Sequence, residues 1–238
     1  MRRVLLGLSL AALTSVPVYA DDIDQINQLA QIEFRRLSED LGAAISYKAI
    51  VPAEALGLTG FDVGFEVTAT RLQNREAWDR ASSGDAPSVV YLPKIHIHKG
   101  LPLGLDVGAF YAAAPDTNVK LTGVELRYAL IKGSVATPAL GLRGSYTKLS
   151  GINQLEANTT GLELTVSKGF TLVTPYAGVG RVWVEATPQN ASGLQAEDFA
   201  LTKYFVGANI NLALLNLALE ADRTGDATTY GAKFGWRF

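Results

Sequence analysis

The chain of 238 residues contains no cysteine, and only 18% of its residues are charged, against 48% that are hydrophobic. The absence of cysteine excludes disulfide bonds, a thiol nucleophile and any metal site with cysteine ligands. A formal net charge of −2 excludes a strongly basic protein that binds nucleic acid. A chain this poor in charge must bury its apolar surface in a large core or in lipid.

Residues 1–20 have the features of a secretory signal peptide. Arg2 and Arg3 form a charged start, residues 4–18 form an apolar stretch, and residues 18–20 form a small-x-small cleavage pattern. A retained membrane anchor is the alternative, but the apolar part is too short for one. We therefore predict that the signal peptide is cleaved and that the mature chain is exported.

Long apolar runs are absent from the rest of the chain. The best candidate for a membrane helix, 210–219, is shorter than the ~18 apolar residues required and contains Asn211 and Asn216. An exported apolar chain without a spanning helix can still enter a membrane as a closed barrel of strands.

From residue 61 onward, apolar residues alternate with small or polar ones, which is typical of strands with two different faces. Long and short connections alternate between these segments, as in an up-and-down meander. The sequence therefore predicts an all-β fold, a closed antiparallel transmembrane β-barrel over 61–238 with about ten strands. The predicted strands are about 61–72, 88–98, 103–113, 119–131, 138–149, 158–168, 175–187, 199–211, 215–223 and 228–238.

Outward aromatic residues support the barrel if the C terminus lies in the periplasm. Strand direction then places them in two belts, as at the two surfaces of a membrane. The loop-end belt contains Tyr91, Tyr111, Tyr146 and Tyr230, and the turn-end belt contains Phe61, Tyr128, Tyr176, Trp236 and Phe238. A soluble β-sandwich also has alternating strands, but its polar face would carry many more Lys and Glu residues.

The chain ends in Tyr230-Gly-Ala-Lys-Phe-Gly-Trp-Arg-Phe238, with aromatic side chains at Tyr230, Phe234, Trp236 and Phe238. This ending resembles the terminal strand of bacterial outer-membrane β-barrel proteins, in which such a strand is the signal read by the barrel assembly machinery. The resemblance implies a Gram-negative source, a location among outer-membrane lipids and no cofactor. It identifies the class of protein and no subfamily.

The segment before the barrel has a different period. Within 21–42, apolar residues recur at spacings of three and four, which predicts an amphipathic helix that ends at Gly42. The helix either enters the lumen as a plug or lies at the periplasmic rim. Residues 43–60 form a linker or an extra strand, because 43–51 alternates again, and an extra strand with a partner would raise the count to twelve.

The alternation also predicts which charged side chains line the lumen. Eight acids and seven bases point inward, and charges in a confined interior must pair because isolated ones carry a large desolvation cost. A balanced set favours a narrow lumen filled by salt bridges over a selective pore. These residues are Asp62, Glu66, Lys94, Asp106, Glu125, Arg127, Arg143, Glu163, Arg181, Glu185, Lys203, Glu220, Asp222, Lys233 and Arg237.

His96 and His98 are the only histidines, and both point inward. With Asp106 across the 99–102 turn they could bind a metal or sense pH. Two imidazoles without a clear third ligand are more typical of hydrogen-bonding residues in a lumen, so we predict no metal. No further histidine is present for a catalytic pair, and we expect no catalytic residues and no enzyme activity.

These observations predict an integral outer-membrane barrel with a structural or surface-interaction role and a narrow, salt-bridged lumen. The alternative is a small porin or channel for small polar solutes, gated by the N-terminal helix. The surface partner, the oligomeric state and the solute are left open by the sequence.

Overall fold

The barrel is closed. The structure, a computed structural model, describes residue 23 and residues 25–82, 86–113, 118–134, 136–191 and 193–238. Ten antiparallel strands pair with their sequence neighbours, and the first pairs with the last. They are β1 (Phe61–Arg71), β2 (Val89–Gly100), β3 (Leu105–Ala113), β4 (Lys120–Lys132), β5 (Ala139–Ser150), β6 (Leu155–Ser167), β7 (Val173–Pro188), β8 (Glu197–Leu212), β9 (Leu215–Thr224) and β10 (Ala227–Arg237).

The predicted closed up-and-down barrel of ten strands is thus confirmed, and the alternative of twelve strands is wrong. Residues 46–60 form no strand, because β1 pairs directly with β10 and leaves no free edge for another. Residues 46–53 are instead buried inside the barrel. The predicted signal peptide at 1–20 lies outside the described residues.

The two ends of the barrel differ. The turn end carries the short connections after β2, β4, β6 and β8, and there Phe61 and Phe238 exchange backbone hydrogen bonds of 2.7 and 3.0 Å. The long-loop end carries the other five connections. The longest of them, between β1 and β2, contains a short helix, α2 (Arg75–Ala81), that the sequence did not predict.

The N-terminal helix, α1, spans Gln31–Ile45, and a separate 3-10 turn precedes it at Ile26–Gln28. It therefore begins later than the predicted 21–42 segment, at the point where Glu33 accepts a hydrogen bond of 3.0 Å from the backbone N–H of Ala30. Gly42 lies inside the helix rather than ending it. Among the described residues, no helix has both the length and the apolar composition needed to cross a bilayer.

Helix α1 lies in the lumen at the long-loop end. Its apolar face packs against Trp78 of α2 and against inward leucines such as Leu121, Leu149 and Leu155. This apolar layer closes the mouth of the barrel, and burying such side chains contributes about 2 kcal/mol each. The helix does not lie at the rim of the turn end, the second position that the sequence allowed.

Gly42 is the point at which α1 approaches the wall most closely. A Cβ atom there would lie 2.6 Å from Cγ2 of Val184 on β7, which is closer than packed atoms tolerate. Glycine is otherwise a poor residue inside a helix, by about 1 kcal/mol relative to alanine. Its presence is explained by the close approach to Val184.

We expect Gly42→Ala to lower the free energy of unfolding by about 1–3 kcal/mol, because the added methyl group overlaps Val184. In a Val184→Ala background the same change should be neutral, or stabilising by up to about 1 kcal/mol, since the space is free and alanine favours the helix. Urea unfolding in lipid vesicles of the wild type, the two single variants and the double variant measures the effect of Gly42→Ala in each background. Equal losses in the two backgrounds would show that Gly42 does not contact Val184.

Candidate functional site

The candidate site is the lumen, which has two layers. The apolar layer lies beneath the long-loop end, and a charged layer fills the barrel between it and the turn end. In the charged layer the inward positions of nearly every strand carry an acid, a base or a histidine, and most of these side chains are buried. The barrel alternation places them there, as the sequence predicted.

Four acid–base pairs join directly opposed residues on neighbouring strands, and in three of them the charged groups are within hydrogen-bond distance. Lys94 lies opposite Glu66, with 3.0 Å between Nζ and Oε2. The other two close pairs are Arg127 with Asp106, at 3.1 Å from Nε to Oδ2, and Arg143 with Glu163, at 3.0 Å from Nε to Oε2. These pairs could have been found in the sequence once the strand register was assumed.

Asp62 is the centre of the first charge cluster. One carboxylate oxygen lies 2.7 Å from Nζ of Lys233 and 3.9 Å from Nη1 of Arg237. The other lies 3.0 Å from Nε2 of His96. Asp62 is fully buried, and its negative charge is stabilised by the two cations around it.

Glu163 is the centre of the second charge cluster. Besides Arg143, it accepts a hydrogen bond of 3.0 Å from Nζ of Lys203. Arg143 also lies 3.7 Å from Oε2 of Glu125, whose other oxygen is 3.3 Å from Nε2 of His98. The pairing of acids with bases in both clusters is the arrangement that the balanced composition of the lumen led us to expect.

The chain between α1 and β1 runs through this charged layer. We call residues 46–56 the interior segment. Side chains of the wall bind its carbonyl oxygens: Lys203 donates from Nζ to Tyr47 at 2.9 Å. Arg127 donates from Nη1 to Pro52, also at 2.9 Å. The interior segment thus replaces water as the hydrogen-bond partner of the buried cations.

Backbone N–H groups of the interior segment are bound in the same way. The N–H of Ala53 donates to Oγ of Ser167 at 3.1 Å. The N–H of Leu56 donates to the two carboxylate oxygens of Asp106, at 3.1 and 3.2 Å. An extended segment has no hydrogen bonds of its own, so the wall must provide them.

Lys48 ties the interior segment to the end of α1. Its Nζ donates to the carbonyl oxygen of Ala43 at 2.6 Å and to Oγ of Ser46 at 2.9 Å. A cation at this position satisfies carbonyl groups left free at a helix C terminus and complements the helix dipole. The carbonyl oxygen of Lys48 in turn accepts a hydrogen bond of 3.3 Å from Lys94 on the wall.

At the long-loop end, ionic contacts attach α1 to the rest of the protein. Glu33 pairs with Arg80 of α2, and Arg35 lies 3.0 Å from Glu197 of β8. The hydrogen bond from Ala30 is the main cause that lowers the pKa of Glu33. Burial raises the pKa of Asp40, although its carboxylate accepts hydrogen bonds from two N–H groups of the β1–β2 loop.

Most of the predicted lumen residues are buried inside the barrel, and Arg237 is there with 13% of its side chain exposed. Arg181 and Glu185 are the exceptions, because both point outward from β7. Tyr176 on the same strand was assigned to the outer belt, but it is inside, only 4% exposed, and donates to Glu220 at 2.9 Å. The prediction of which alternate side chains of β7 point into the lumen is therefore wrong.

The reason for this error is the helix in the lumen. The rule that inward side chains are polar fails where α1 covers the wall. There β7 directs Val182 and Val184 inward, and both are buried. The outward face of β7 then carries Trp183, an exposed aromatic residue that the sequence analysis did not assign to a belt.

The other predicted belt and assembly-signal residues face outward. All are exposed except Phe61, which is half-buried. They are Tyr91, Tyr111, Tyr146, Tyr230, Phe61, Tyr128, Phe234, Trp236 and Phe238. Their side chains form part of an apolar outer surface that includes Phe65, Val124 and Leu219.

One group of lumen side chains has donors suited to a metal ion. Atoms of Asp62, His96 and His98 lie within 4.8 Å of one another, so the third ligand would be Asp62 rather than Asp106. These residue types suit a divalent transition metal. Lys233, however, already binds the carboxylate of Asp62 at 2.7 Å, and a metal would have to displace that cation. The cluster is better explained as an ion-pair network.

A cleft lies on the outside of the plugged mouth. It has a volume of about 560 Å³ and is lined by three arginines from different elements, Arg36 of α1, Arg71 of β1 and Arg75 of α2. All three are exposed, and none forms an ion pair within the part of the chain that the structure describes. We call this feature the arginine cleft.

No protein-family model matches the chain, and no curated protein is similar to it in sequence. Solved structures align with it at low identity. The N-terminal β-barrel domain of OprF from Pseudomonas aeruginosa is 12% identical, over 76% of this chain and 99% of that one, with a TM-score of 0.38. The KdgM porin in complex with oligogalacturonate is 11% identical, with coverages of 76% and 99% and a TM-score of 0.39.

Ail, the attachment invasion locus protein of Yersinia pestis, is 13% identical, over 75% of this chain and 97% of that one, with a TM-score of 0.29. Similarity at this level assigns no function.

We expect Asp62→Asn to lower the free energy of unfolding by about 3 kcal/mol or more, because it leaves the buried Lys233 and Arg237 without their partner. The matched control is Asp226→Asn, which breaks an exposed pair with Arg223 and should change stability by less than about 1 kcal/mol. Urea titration in lipid vesicles compares the two. Similar small losses would contradict the role given to Asp62.

Proposed function

We propose that the protein is an outer-membrane β-barrel whose lumen is closed, with a structural or surface-interaction role and no enzymatic activity. One observation carries this proposal: α1 and the interior segment together occupy the lumen from the long-loop end to the turn end. The apolar outer surface and its aromatic residues support a position in a membrane. The export signal at 1–20 remains a prediction.

The hydrogen bonds of the interior segment argue against a pore. An ion that crosses the barrel would have to pass the charged layer, in which the acids and bases are buried and most of them form ion pairs. Opening a path there requires the wall to release backbone groups of the interior segment and leave buried charges unpaired, at a cost of several kcal/mol. The narrow-channel alternative therefore requires the interior segment to move.

Conductance in a planar bilayer tests the closed lumen. The full-length protein should be silent, and removal of residues 25–45 should leave it silent, because the interior segment still fills the charged layer. Removal of residues 25–56 should produce openings. Each protein is first shown to be folded by its heat-dependent mobility on gels. Steady openings of the full-length protein would contradict the proposal and favour the small porin.

The arginine cleft is the surface to which we assign the interaction. We place the long-loop end outside the cell, so the cleft faces the medium. Two carboxylates, Glu33 and Glu76, also line the cleft, so the three guanidinium groups outnumber the acids there. They suit phosphate or sulfate groups, because each guanidinium can donate two parallel hydrogen bonds to such an anion. The proposed ligand class is therefore a polyanion that carries phosphate or sulfate.

Binding of heparin, with neutral dextran as the reference ligand, tests this assignment. Replacing Arg36, Arg71 and Arg75 by Gln should weaken heparin binding about tenfold or more, equivalent to ~1.4 kcal/mol. The charge-matched control replaces Lys120, Lys148 and Arg223, which are exposed at the long-loop end outside the cleft. Equal losses in the two variants would show attraction to overall charge and not a site at the cleft.

A further inference from the structure

The outer face of β1, β10 and β9 is arranged in rows, because the three strands pair in register. The row nearest the long-loop end contains Arg71, Thr228 and Arg223, with Thr228 directly opposite both arginines. All three side chains point outward, and both arginines are exposed. Neighbouring strands lie about 4.8 Å apart, so the two arginines are about 10 Å apart on either side of Thr228.

The next outward row towards the turn end contains Tyr230 between two small residues, Ala69 and Ala221. Tyr230 is 65% exposed. A tyrosine on the outside of a membrane barrel lies at the level of the lipid headgroups. The rows below it are apolar, and their exposed members are Val67, Leu219, Phe65, Phe234 and Leu217. The row with the two arginines therefore lies just above the surface that contacts acyl chains.

A second cleft, with a volume of about 300 Å³, connects the arginine row with this tyrosine. It is lined by Arg71, Gln73, Arg223, Asp226, Thr228 and Tyr230, and we call it the rim cleft. Arg71 and Gln73 also line the arginine cleft, so the two clefts adjoin at the end of β1. Two guanidinium groups and one carboxylate are present among the described residues that line the rim cleft. Its lining is therefore polar and, on balance, positive.

The loop between β9 and β10 holds one of the two guanidinium groups in position. Arg223 donates from Nη2 to the carboxylate of Asp226 at 3.2 Å and from Nε to the carbonyl oxygen of Gly225 at 3.3 Å. The side chain of Asp226 is 87% exposed, and an exposed ion pair of this kind is weak. A phosphate group that carries more negative charge can therefore replace Asp226 as the partner of Arg223.

We propose that the rim cleft binds the phosphate group of a membrane lipid. The proposal rests on the proposed membrane location. The guanidinium groups of Arg71 and Arg223 donate paired hydrogen bonds to the phosphate oxygens, and the hydroxyl group of Thr228 lies between them. The acyl chains follow the apolar rows below Tyr230. This position places the charges at headgroup level and the apolar side chains in the hydrocarbon.

The lipid site and the polyanion site are distinct, although they share Arg71. Arg36 and Arg75 line only the arginine cleft, on the outside of the plugged mouth. Arg223 and Tyr230 line only the rim cleft, on the face that we place against lipid. Replacing Arg36 and Arg75 by Gln should therefore weaken heparin binding and leave lipid binding unchanged.

Quenching of tryptophan emission by lipids that are brominated on the acyl chain near the headgroup tests the proposal. The reporter is Tyr230→Trp in a full chain that also carries Trp183→Phe and Trp236→Phe, so that buried Trp78 is the only other tryptophan. The protein is refolded in phosphatidylcholine vesicles that contain equal fractions of brominated phosphatidic acid or brominated phosphatidylcholine. We expect the apparent affinity for phosphatidic acid to be about fivefold higher, because the lining has an excess of one positive charge.

Arg71→Gln combined with Arg223→Gln should make the two apparent affinities equal. The charge-matched control, Lys120→Gln combined with Lys148→Gln, removes two outward cations from the same end of the barrel and should leave the preference unchanged. Inorganic phosphate in the medium should also leave it unchanged, because the acyl chains hold the lipid at the site. Each protein is first shown to be folded by its heat-dependent mobility on gels.

The outcomes separate the lipid site from the proposed membrane location. Equal affinities before the arginines are replaced, or a preference that both double variants reduce equally, would overturn the rim cleft as a lipid site. Loss of the preference on addition of inorganic phosphate would overturn the lipid as the source of the phosphate. A reporter at position 230 that neither brominated lipid quenches, in folded protein, would refute the membrane location itself.

Discussion

A chain that runs inside a closed barrel has no neighbouring strand to form hydrogen bonds with its backbone. This constraint determines which side chains line the lumen. The interior segment has N–H and carbonyl groups at a depth where water is excluded, and each needs a partner. The wall provides them from side chains: Lys203 and Arg127 donate to carbonyl groups, and Ser167 and Asp106 accept from N–H groups. Arg127 and Asp106 therefore neutralise each other and also bind the interior segment.

The two layers of the lumen follow from the secondary structure of the chain inside it, which is helical in α1 and extended in the interior segment. A helix satisfies its own backbone hydrogen bonds, so the wall around α1 can be apolar, and its inward residues there include leucine, alanine and valine. The extended segment below has no internal hydrogen bonds, so the wall around it is charged. The change from one layer to the other coincides with the end of α1, where Lys48 binds the last carbonyl groups.

Much of the fold was predictable from the sequence because strand alternation has a strict period of two. Ten strands, their antiparallel order and the inward position of residues such as Asp62 and Glu163 follow from it. The same rule failed on β7, where apolar residues occupy both faces and the sequence could not reveal that Val184 faces a helix. The Asp62 cluster was also beyond the sequence, since it joins β1, β2 and β10 through the closure of the barrel.

The sequence alone determined the composition of the two faces of the barrel: an apolar exterior with aromatic residues, and a lumen with nearly equal numbers of acids and bases. Both are local consequences of the alternation along single strands. Only the tertiary structure decided what fills the lumen and which charges pair. Those features depend on the register between strands and on the position of α1, and both are set by contacts between residues far apart in the chain.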